Sequence, residues 1–83
     1  PTFALGHGHL GMAYYALKDY EQAIVEFERA VALGARQEEF LYELGFCYAY
    51  LDQCDKAIPW FEQAVAVNPA SLAAQGLRDC QKK

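Results

Sequence analysis

The sequence has little positive charge and no long apolar run, and both absences narrow its function. Lysine and arginine number 7 against 11 aspartate and glutamate residues, so the net charge is −4. A nucleic-acid-binding surface requires a basic stripe, and an anionic membrane attracts basic clusters. We therefore expect no nucleic acid and no membrane among the partners. No run approaches the roughly 20 apolar residues of a membrane span, and residues 1–8 lack the features of a signal peptide.

Cysteine is also scarce, with three residues at Cys47, Cys54 and Cys80. They cannot all pair within one molecule, and none forms the C-x-x-C spacing of a zinc knuckle or a redox motif. We therefore expect free thiols, with cysteine serving as a small apolar side chain. Free thiols suggest a reducing compartment, and we expect the cytoplasm.

Apolar and aromatic residues, in contrast, are abundant, at 54% and 14% of the chain. This composition excludes intrinsic disorder, because enough apolar surface is available to offset the entropy lost on folding. The 83 residues suffice for one small domain. Since the sequence begins with Pro1 rather than methionine, we expect it to be an excised or processed piece of a longer chain.

The sequence matches itself when it is shifted by 34 residues. The paired positions are Leu10-Gly11 with Leu44-Gly45, Tyr14 with Tyr48, Leu17 with Leu51, Ala23-Ile24 with Ala57-Ile58, Phe27-Glu28 with Phe61-Glu62, and Ala30-Val31-Ala32 with Ala64-Val65-Ala66. Self-similarity at a fixed period of this length indicates stacked supersecondary units.

The first unit is predicted to contain two helices. Asp19 and Gln22 have the spacing of a capping box, which predicts the start of the second helix. This helix is expected to end near Gly34, a residue suited to a helix terminus. The helix before Asp19 carries an apolar stripe at helical spacing, formed by Leu10, Ala13, Tyr14 and Leu17.

The second unit repeats this plan, with a helix over about Gln37–Leu51 and a break at Asp52-Gln53. The next helix is predicted to run to about Val67. The Asn68-Pro69 pair suits a helix cap followed by a first helical turn, so we expect a fifth helix over about residues 69–81. This helix would cap the last exposed face of the repeats.

The spacing L-G-x-x-Y, followed by A-x-x-x-F and A, resembles the tetratricopeptide repeat, a helix-turn-helix unit of 34 residues. The positions that fit are Leu10, Gly11, Tyr14, Ala23, Phe27 and Ala30, then Leu44, Gly45, Tyr48, Ala57, Phe61, Ala64 and Pro69. His7 and Leu41 stand where the family often has tryptophan, and Ala35 where it often has proline. The resemblance implies an all-α solenoid of five helices in residues 1–83, with repeats over about 4–37 and 38–71 and a capping helix over about 69–81.

Small residues such as Gly11 and Gly45 are expected to let helices approach closely, while Phe27 and Phe61 fill the space between them. Gly6 and Gly8 have no such counterparts one repeat later. Each glycine lowers helix stability by roughly 0.5–1 kcal/mol relative to alanine. We therefore expect a soft edge at the start of the first helix.

The segment Leu41–Leu51 is apolar on every side, with Glu43 as its one charged residue. Its internal packing face is predicted to consist of Leu41, Leu44, Cys47, Tyr48 and Leu51. A helix that is apolar all round is normally covered all round, so we expect the opposite face to bind something. In tetratricopeptide proteins the first helix of each unit lines a concave, peptide-binding surface. The resemblance implies that this surface is lined here by Leu5, Met12, Tyr15, Glu39, Tyr42, Phe46, Ala49 and Tyr50.

The resemblance further implies a non-catalytic protein-interaction module. From the side chains of this surface we expect a ligand with apolar or aromatic anchors, and with basic residues that meet Glu39 and Glu43. Some family members clamp a peptide carboxylate with basic residues on the inner helices. Gly8, Met12, Tyr42 and Phe46 occupy that surface here, so no such clamp is expected.

Three alternatives stay open for the same face. In the first, the face forms a homodimer. In the second, the chain's own ends or further repeats cover it. The third alternative is a small tetratricopeptide chaperone of a bacterial secretion system, which A-L-G at residues 32–34 and G-x-C at residues 45–47 resemble.

Residues 6–11, G-H-G-H-L-G, have the glycine spacing of a dinucleotide-binding loop, but the chain offers no βαβ unit around them. On a helix, His7 and His9 point about 200° apart and cannot chelate one ion. The carboxylates, such as Glu26 with Arg29 one turn later, are expected on solvated outer faces. We therefore expect no metal, no cofactor and no enzymatic activity.

Overall fold

The computed structural model describes residues 2–82, which contain five α-helices joined by turns and loops. They are α1 (Thr2–Ala16), α2 (Tyr20–Ala32), α3 (Glu38–Tyr50), α4 (Cys54–Val67) and α5 (Ala73–Gln81). No strand occurs within these residues, which confirms the predicted all-α class. None of the helices in this range is both long and apolar enough to cross a membrane.

Asp19 caps α2 as its spacing predicts, since its Oδ1 accepts a hydrogen bond from the Gln22 amide at 3.3 Å. The helix ends at Ala32, and Gly34 follows with a φ of +101°, a left-handed conformation that glycine adopts without strain. The turns after α1 and α3 also contain positive φ angles, at Lys18 (63°) and Asp52 (61°). These two residues lie one repeat apart, so the repeat extends to the backbone of the turns.

The predicted start of the last helix is wrong, because α5 begins at Ala73 rather than at Pro69. Asn68 uses its side chain to hold a turn after α4: its Oδ1 accepts from the Ala70 amide at 3.1 Å. Its carbonyl accepts from the Ser71 amide at 2.9 Å. The Ser71 hydroxyl then accepts from the Ala73 amide at 3.1 Å, so Ser71, and not Asn68, supplies the polar group at the start of α5.

The helices form two layers. Each helix packs against its neighbour in sequence, and α3 also contacts α1 and α5. The odd-numbered helices therefore lie together as an inner layer, with α2 and α4 as the outer layer. Polar side chains also join the repeats: the Tyr48 hydroxyl donates to Glu28, and Arg36 donates to Gln63 Oε1 at 2.7 Å.

Each repeat has a fully buried phenylalanine packed on a glycine of the facing helix. A Cβ on Gly11 would lie 2.8 Å from the Phe27 ring, and one on Gly45 would lie 2.6 Å from the Phe61 ring. Both phenylalanines are completely buried. These contacts confirm that Gly11 and Gly45 allow close helix approach.

The expectation of a soft edge at the start of α1 is wrong for Gly8. Gly8 is buried, and a Cβ there would collide with the ring of Phe40 on α3. Gly8 is therefore a packing glycine between the repeats. Gly6, in contrast, has open space where a Cβ would lie.

The two apolar stripes predicted for α1 and α3 have different environments. On α3, Leu44 is completely buried in a cluster that includes Ala23 and Phe27 of α2. The corresponding residue of α1, Leu10, is 43% exposed, and Leu17 is 76% exposed. Within residues 2–82 no helix covers this side of α1, whereas α2 covers the same side of α3. The stripe through Leu10 and Leu17 is thus an exposed face.

The expectation of three free thiols is wrong for two of them. Cys54, the first residue of α4, forms a disulfide with Cys80 of α5, with a Cα–Cα distance of 5.3 Å. Cys47 is free and completely buried. Burial raises the pKa of its thiol, and the nearby carboxylate of Glu43 raises it further, to about 12. Cys47 therefore serves as a small apolar side chain, as predicted.

Candidate functional site: an aromatic groove with a buried carboxylate

A continuous row of rings lines the inner layer, and we call it the aromatic groove. Its members are Tyr15, Tyr20, Tyr42, Phe46 and Tyr50. The closest pair, Tyr20 and Tyr50, is stacked with centroids 4.9 Å apart. The other contacts in the row have centroid distances of 5.9 to 6.4 Å. Rings at these separations attract one another, so the row is a preformed surface.

Helical spacing places these rings together. Tyr42, Phe46 and Tyr50 follow each other at intervals of four on α3, and such residues share one helix face. Tyr15 reaches the same surface from the last turn of α1, and Tyr20 from the first residue of α2. Sequence reasoning missed Tyr20, because its counterpart in the second repeat is Cys54. An aromatic residue therefore does not recur at this position of the repeat.

The other residues predicted to line the concave surface have different positions. Ala49 lines a cleft beside the aromatic groove, and Met12 is half-buried against the core. Glu39 is exposed. Leu5 is 39% exposed and lines a separate depression near the loop between α2 and α3, with Leu33. The structure thus brings the aromatic members together and leaves Leu5 apart from them.

The cleft has a volume of about 220 Å³ and lies where α3 meets α5. Its walls are Phe46, Ala49, Tyr50, Cys54, Gly76, Asp79 and Cys80. The disulfide therefore forms part of the wall. Gly76 permits the close contact, since a Cβ there would lie 3.0 Å from the Phe46 ring and 2.6 Å from that of Phe61. This wall depends on the docking of α5, which no local sequence pattern specifies.

Glu43 is the unusual polar residue of this surface. Its Oε1 is buried and has no hydrogen-bond partner, and it is the one such side-chain atom among residues 2–82. Burial, and then repulsion by Glu39, raises the pKa of Glu43 to about 7. Glu43 in turn contributes to the raised pKa values of Tyr15 and Tyr42, for which burial is the main cause. On α3, Glu43 precedes Phe46 and Tyr50 by three and seven residues, so it lies on the side of the helix that carries these rings.

The expectation that the carboxylates lie on solvated faces is also wrong for Glu26, which is 7% exposed. Its Oε1 lies 2.7 Å from His7 Nδ1, and its Oε2 accepts from Arg29 at 3.2 Å. The predicted Glu26–Arg29 pair is thus present, but the carboxylate of Glu26 is buried and not solvated. Sequence reasoning did not identify His7 as a partner of this carboxylate.

The residues with metal or cofactor potential do not converge. His9 packs edge-on against Phe40, away from His7 and its carboxylate partner. Among residues 2–82 no group of three or more histidine, cysteine, aspartate or glutamate side chains is positioned to hold a metal ion. Gly6, Gly8 and Gly11 all lie within α1, where two of them pack against phenylalanine rings. The glycine spacing therefore reflects helix packing and not a phosphate-binding loop.

Paired helices in two layers, a period of 34 residues and an aromatic inner face define a helical-repeat protein of the α-solenoid class. The chain belongs to the tetratricopeptide repeat family, whose model matches residues 3–70. Repeats of this family are in general non-catalytic units of protein–protein interaction.

Two comparisons agree with this assignment. The crystal structure of MamA superposes with a TM-score of 0.87 at 28% identity, over 98% of this chain and 48% of MamA. Superkiller complex protein 3 of Mus musculus is 36% identical over 53 residues, which cover 64% of this chain. The chain spans 3% of that curated relative and about half of MamA.

Proposed function

We propose that the chain is a non-catalytic interaction module that binds a peptide or protein segment with apolar or aromatic anchors through the aromatic groove. One observation carries this proposal: five rings form a continuous inner surface, and its member Tyr50 remains 59% exposed. Aromatic side chains supply large contact areas at low entropic cost and dominate binding energy at interfaces. The name of the mouse relative places that protein in a complex, which supports an assembly role.

The experiment is selection of a random peptide library on the protein, followed by affinity measurements with single variants. Tyr50→Ala removes the most exposed ring. Val25→Ala, an exposed apolar residue of the outer helix α2, is the matched control. We expect selected peptides rich in leucine and aromatic residues, at least about tenfold weaker binding to Tyr50→Ala, and unchanged binding to the control. Equal loss in both variants, or no loss in either, would place the binding surface elsewhere.

A homodimer through the same groove is the second proposal, supported by the same exposed ring. Solution mass over a wide concentration range tests it, with wild type beside Phe46→Glu. Phe46 packs edge-on against the buried Phe61, with centroids 5.0 Å apart, so the variant needs a circular dichroism control for folding. A monomer at all concentrations removes the dimer. A folded variant that stays monomeric beside a dimeric wild type supports it.

Two further predictions have no residue in the structure that supports them directly. A role as a bacterial secretion chaperone remains a proposal on the short sequence resemblance alone. The cytoplasmic location also remains a proposal. With Cys54 and Cys80 paired, it no longer rests on three free thiols. Titration of thiols in protein purified without reductant would show which state the cell maintains.

A further inference from the structure

The buried oxygen of Glu43 requires a hydrogen-bond donor that residues 2–82 do not supply. A buried acceptor without a partner destabilises the folded state, and more so when it is charged. Folded proteins keep such groups where a ligand or a solvent molecule satisfies them. The position of Glu43 is therefore informative about what enters the groove.

Glu43 lies on the same stripe of α3 as two rings of the aromatic groove. Phe46 and Tyr50 follow it at intervals of three and seven residues, which an α-helix places on one side. From α1, Tyr15 approaches closely enough for Glu43 to raise its pKa, after the larger effects of burial and of the Tyr50 hydroxyl. Tyr15 also contacts Tyr50, with ring centroids 6.4 Å apart, so the side of α3 that carries Glu43 and Tyr50 faces Tyr15 of α1.

Within the inner layer, lysine and arginine are absent from the first helix of each repeat, and Arg78 lies on α5. Neither α1 nor α3 contains a lysine or arginine, whereas α3 carries three glutamates, Glu38, Glu39 and Glu43. Outside these helices, Arg29, Arg36 and Arg78 donate hydrogen bonds to Glu26, Gln63 and Gln75, respectively. The charge of this face therefore complements a cation.

We propose that Glu43, Tyr15 and Tyr50 form a subsite for one basic side chain, a lysine or arginine, of the segment bound in the aromatic groove. A neutral donor would satisfy the oxygen alone, but a cation also gains from the acidic neighbours and from the negative faces of the rings. The apolar stem of lysine or arginine can lie along the rings while the head group reaches the carboxylate. This inference rests on the proposed function, since it specifies one residue of the same ligand.

The test uses a capped-peptide array in which a leucine- and phenylalanine-rich scaffold carries lysine, arginine, norleucine or glutamate at each position in turn. Norleucine matches the lysine stem without its charge. In wild type we expect one position at which lysine and arginine bind about five- to tenfold more tightly than norleucine, and glutamate binds more weakly. Glu43→Gln, a variant of nearly the same shape, should reduce that ratio to about one.

Glu62→Gln is the matched control, since it changes the net charge equally on the exposed surface of α4. It should keep the preference for a basic residue. If wild type binds the norleucine and lysine peptides equally at every position, the basic subsite is wrong while the aromatic groove stands. If no peptide of the array binds, the proposed function fails and the subsite fails with it. Loss of the preference in both variants would show a general charge effect and also overturn the subsite.

Discussion

The helices α1 and α3 occupy equivalent places in the two repeats, yet their residues are buried very differently. Leu44 of α3 is completely buried, whereas Leu10, one repeat earlier, is 43% exposed. Cys47 is completely buried, and its counterpart Ala13 is exposed. The sequence pattern is the same, but within residues 2–82 α3 has an outer helix on each side and α1 has one on a single side. In a stack of repeats, the adjacent helices determine how much of a residue's apolar surface is buried.

The inner faces of the two helices also differ, and here the residues themselves change. At the positions of Tyr42 and Phe46 on α3, α1 has Gly8 and Met12. Gly8 is needed for the contact with Phe40, so a large ring does not fit there. The second repeat therefore builds most of the aromatic groove, and the first repeat completes it with Tyr15 and Tyr20.

The largest expected effect contrasts the two leucines. Leu44→Ala should lower the free energy of unfolding by about 3 kcal/mol, because it leaves a cavity in a packed cluster. Leu10→Ala, the matched control, should lower it by less than about 1 kcal/mol, because its site is partly solvated. Urea denaturation followed by circular dichroism measures both. Similar losses would mean that the exposed face of α1 is covered in solution.

The disulfide gives the second repeat a constraint that the first lacks, because Tyr20 stands where the second repeat has Cys54. Replacing both Cys54 and Cys80 with serine should lower the free energy of unfolding by about 3 kcal/mol, since the loop between them spans 26 residues. Thermal unfolding with and without reductant measures the effect. Reductant should destabilise wild type to the level of the variant and leave the variant unchanged. A reductant-independent wild type would contradict the prediction.

The glycines offer a contrast between crowded and open sites. Gly45→Ala should destabilise the fold by about 1–3 kcal/mol, because the new methyl group would meet the ring of Phe61. Gly6→Ala should instead stabilise it by about 0.5–1 kcal/mol, because the site is open and alanine favours the helix. Chemical denaturation of the two variants compares them directly. Stabilisation by both changes would show that the ring gives way easily.

The last expected effect concerns pH and the partly buried carboxylate of Glu43, which the first repeat lacks. Because the fold raises the pKa of Glu43 from 4.5 to about 7, the folded state binds the proton more tightly than the unfolded state. This contribution to stability is complete below about pH 4.5 and is lost as the pH rises to about 7.

Glu43→Gln should therefore be about 1 kcal/mol more stable than wild type at pH 8, with little difference at pH 4. Unfolding free energies measured across this range test the sign. Glu62→Gln should leave the pH dependence as it is in wild type. A Glu43→Gln variant that is less stable at pH 8 than at pH 4, by the same margin as wild type, would contradict the assignment.

Most of the fold could be predicted, because the same sequence pattern occurs in both repeats. The helix pairs and the contacts of Gly11 and Gly45 with Phe27 and Phe61 follow from positions that recur one repeat apart. The Asp19 cap follows from the spacing of Asp19 and Gln22 alone. The inner-face rings of α3 could also be selected from the sequence, because a polar side was missing from an otherwise regular helix.

What could not be predicted lacks a counterpart in the other repeat or depends on distant contacts. Tyr20 and Cys54 share one slot with different chemistry, and the partner of Cys54 lies on α5, outside the repeats. The pairing of Glu26 with His7 joins two helices. It could not be predicted, because both residue types are also common on exposed helix surfaces. Local patterns specify helices and their faces, while the depth of a polar side chain depends on what packs over it.

The disulfide also determines how the molecule would extend under force. Pulled from its two ends, the chain can lengthen up to Cys54, where the covalent path crosses directly to Cys80. The segment from Cys54 to Cys80, with a sequence separation of 26, contains α4 and most of α5 and bears no load. About 90 Å of contour length therefore stays hidden until the bond is reduced. In a stretching measurement, the unfolded contour length would therefore distinguish the oxidised protein from the reduced one.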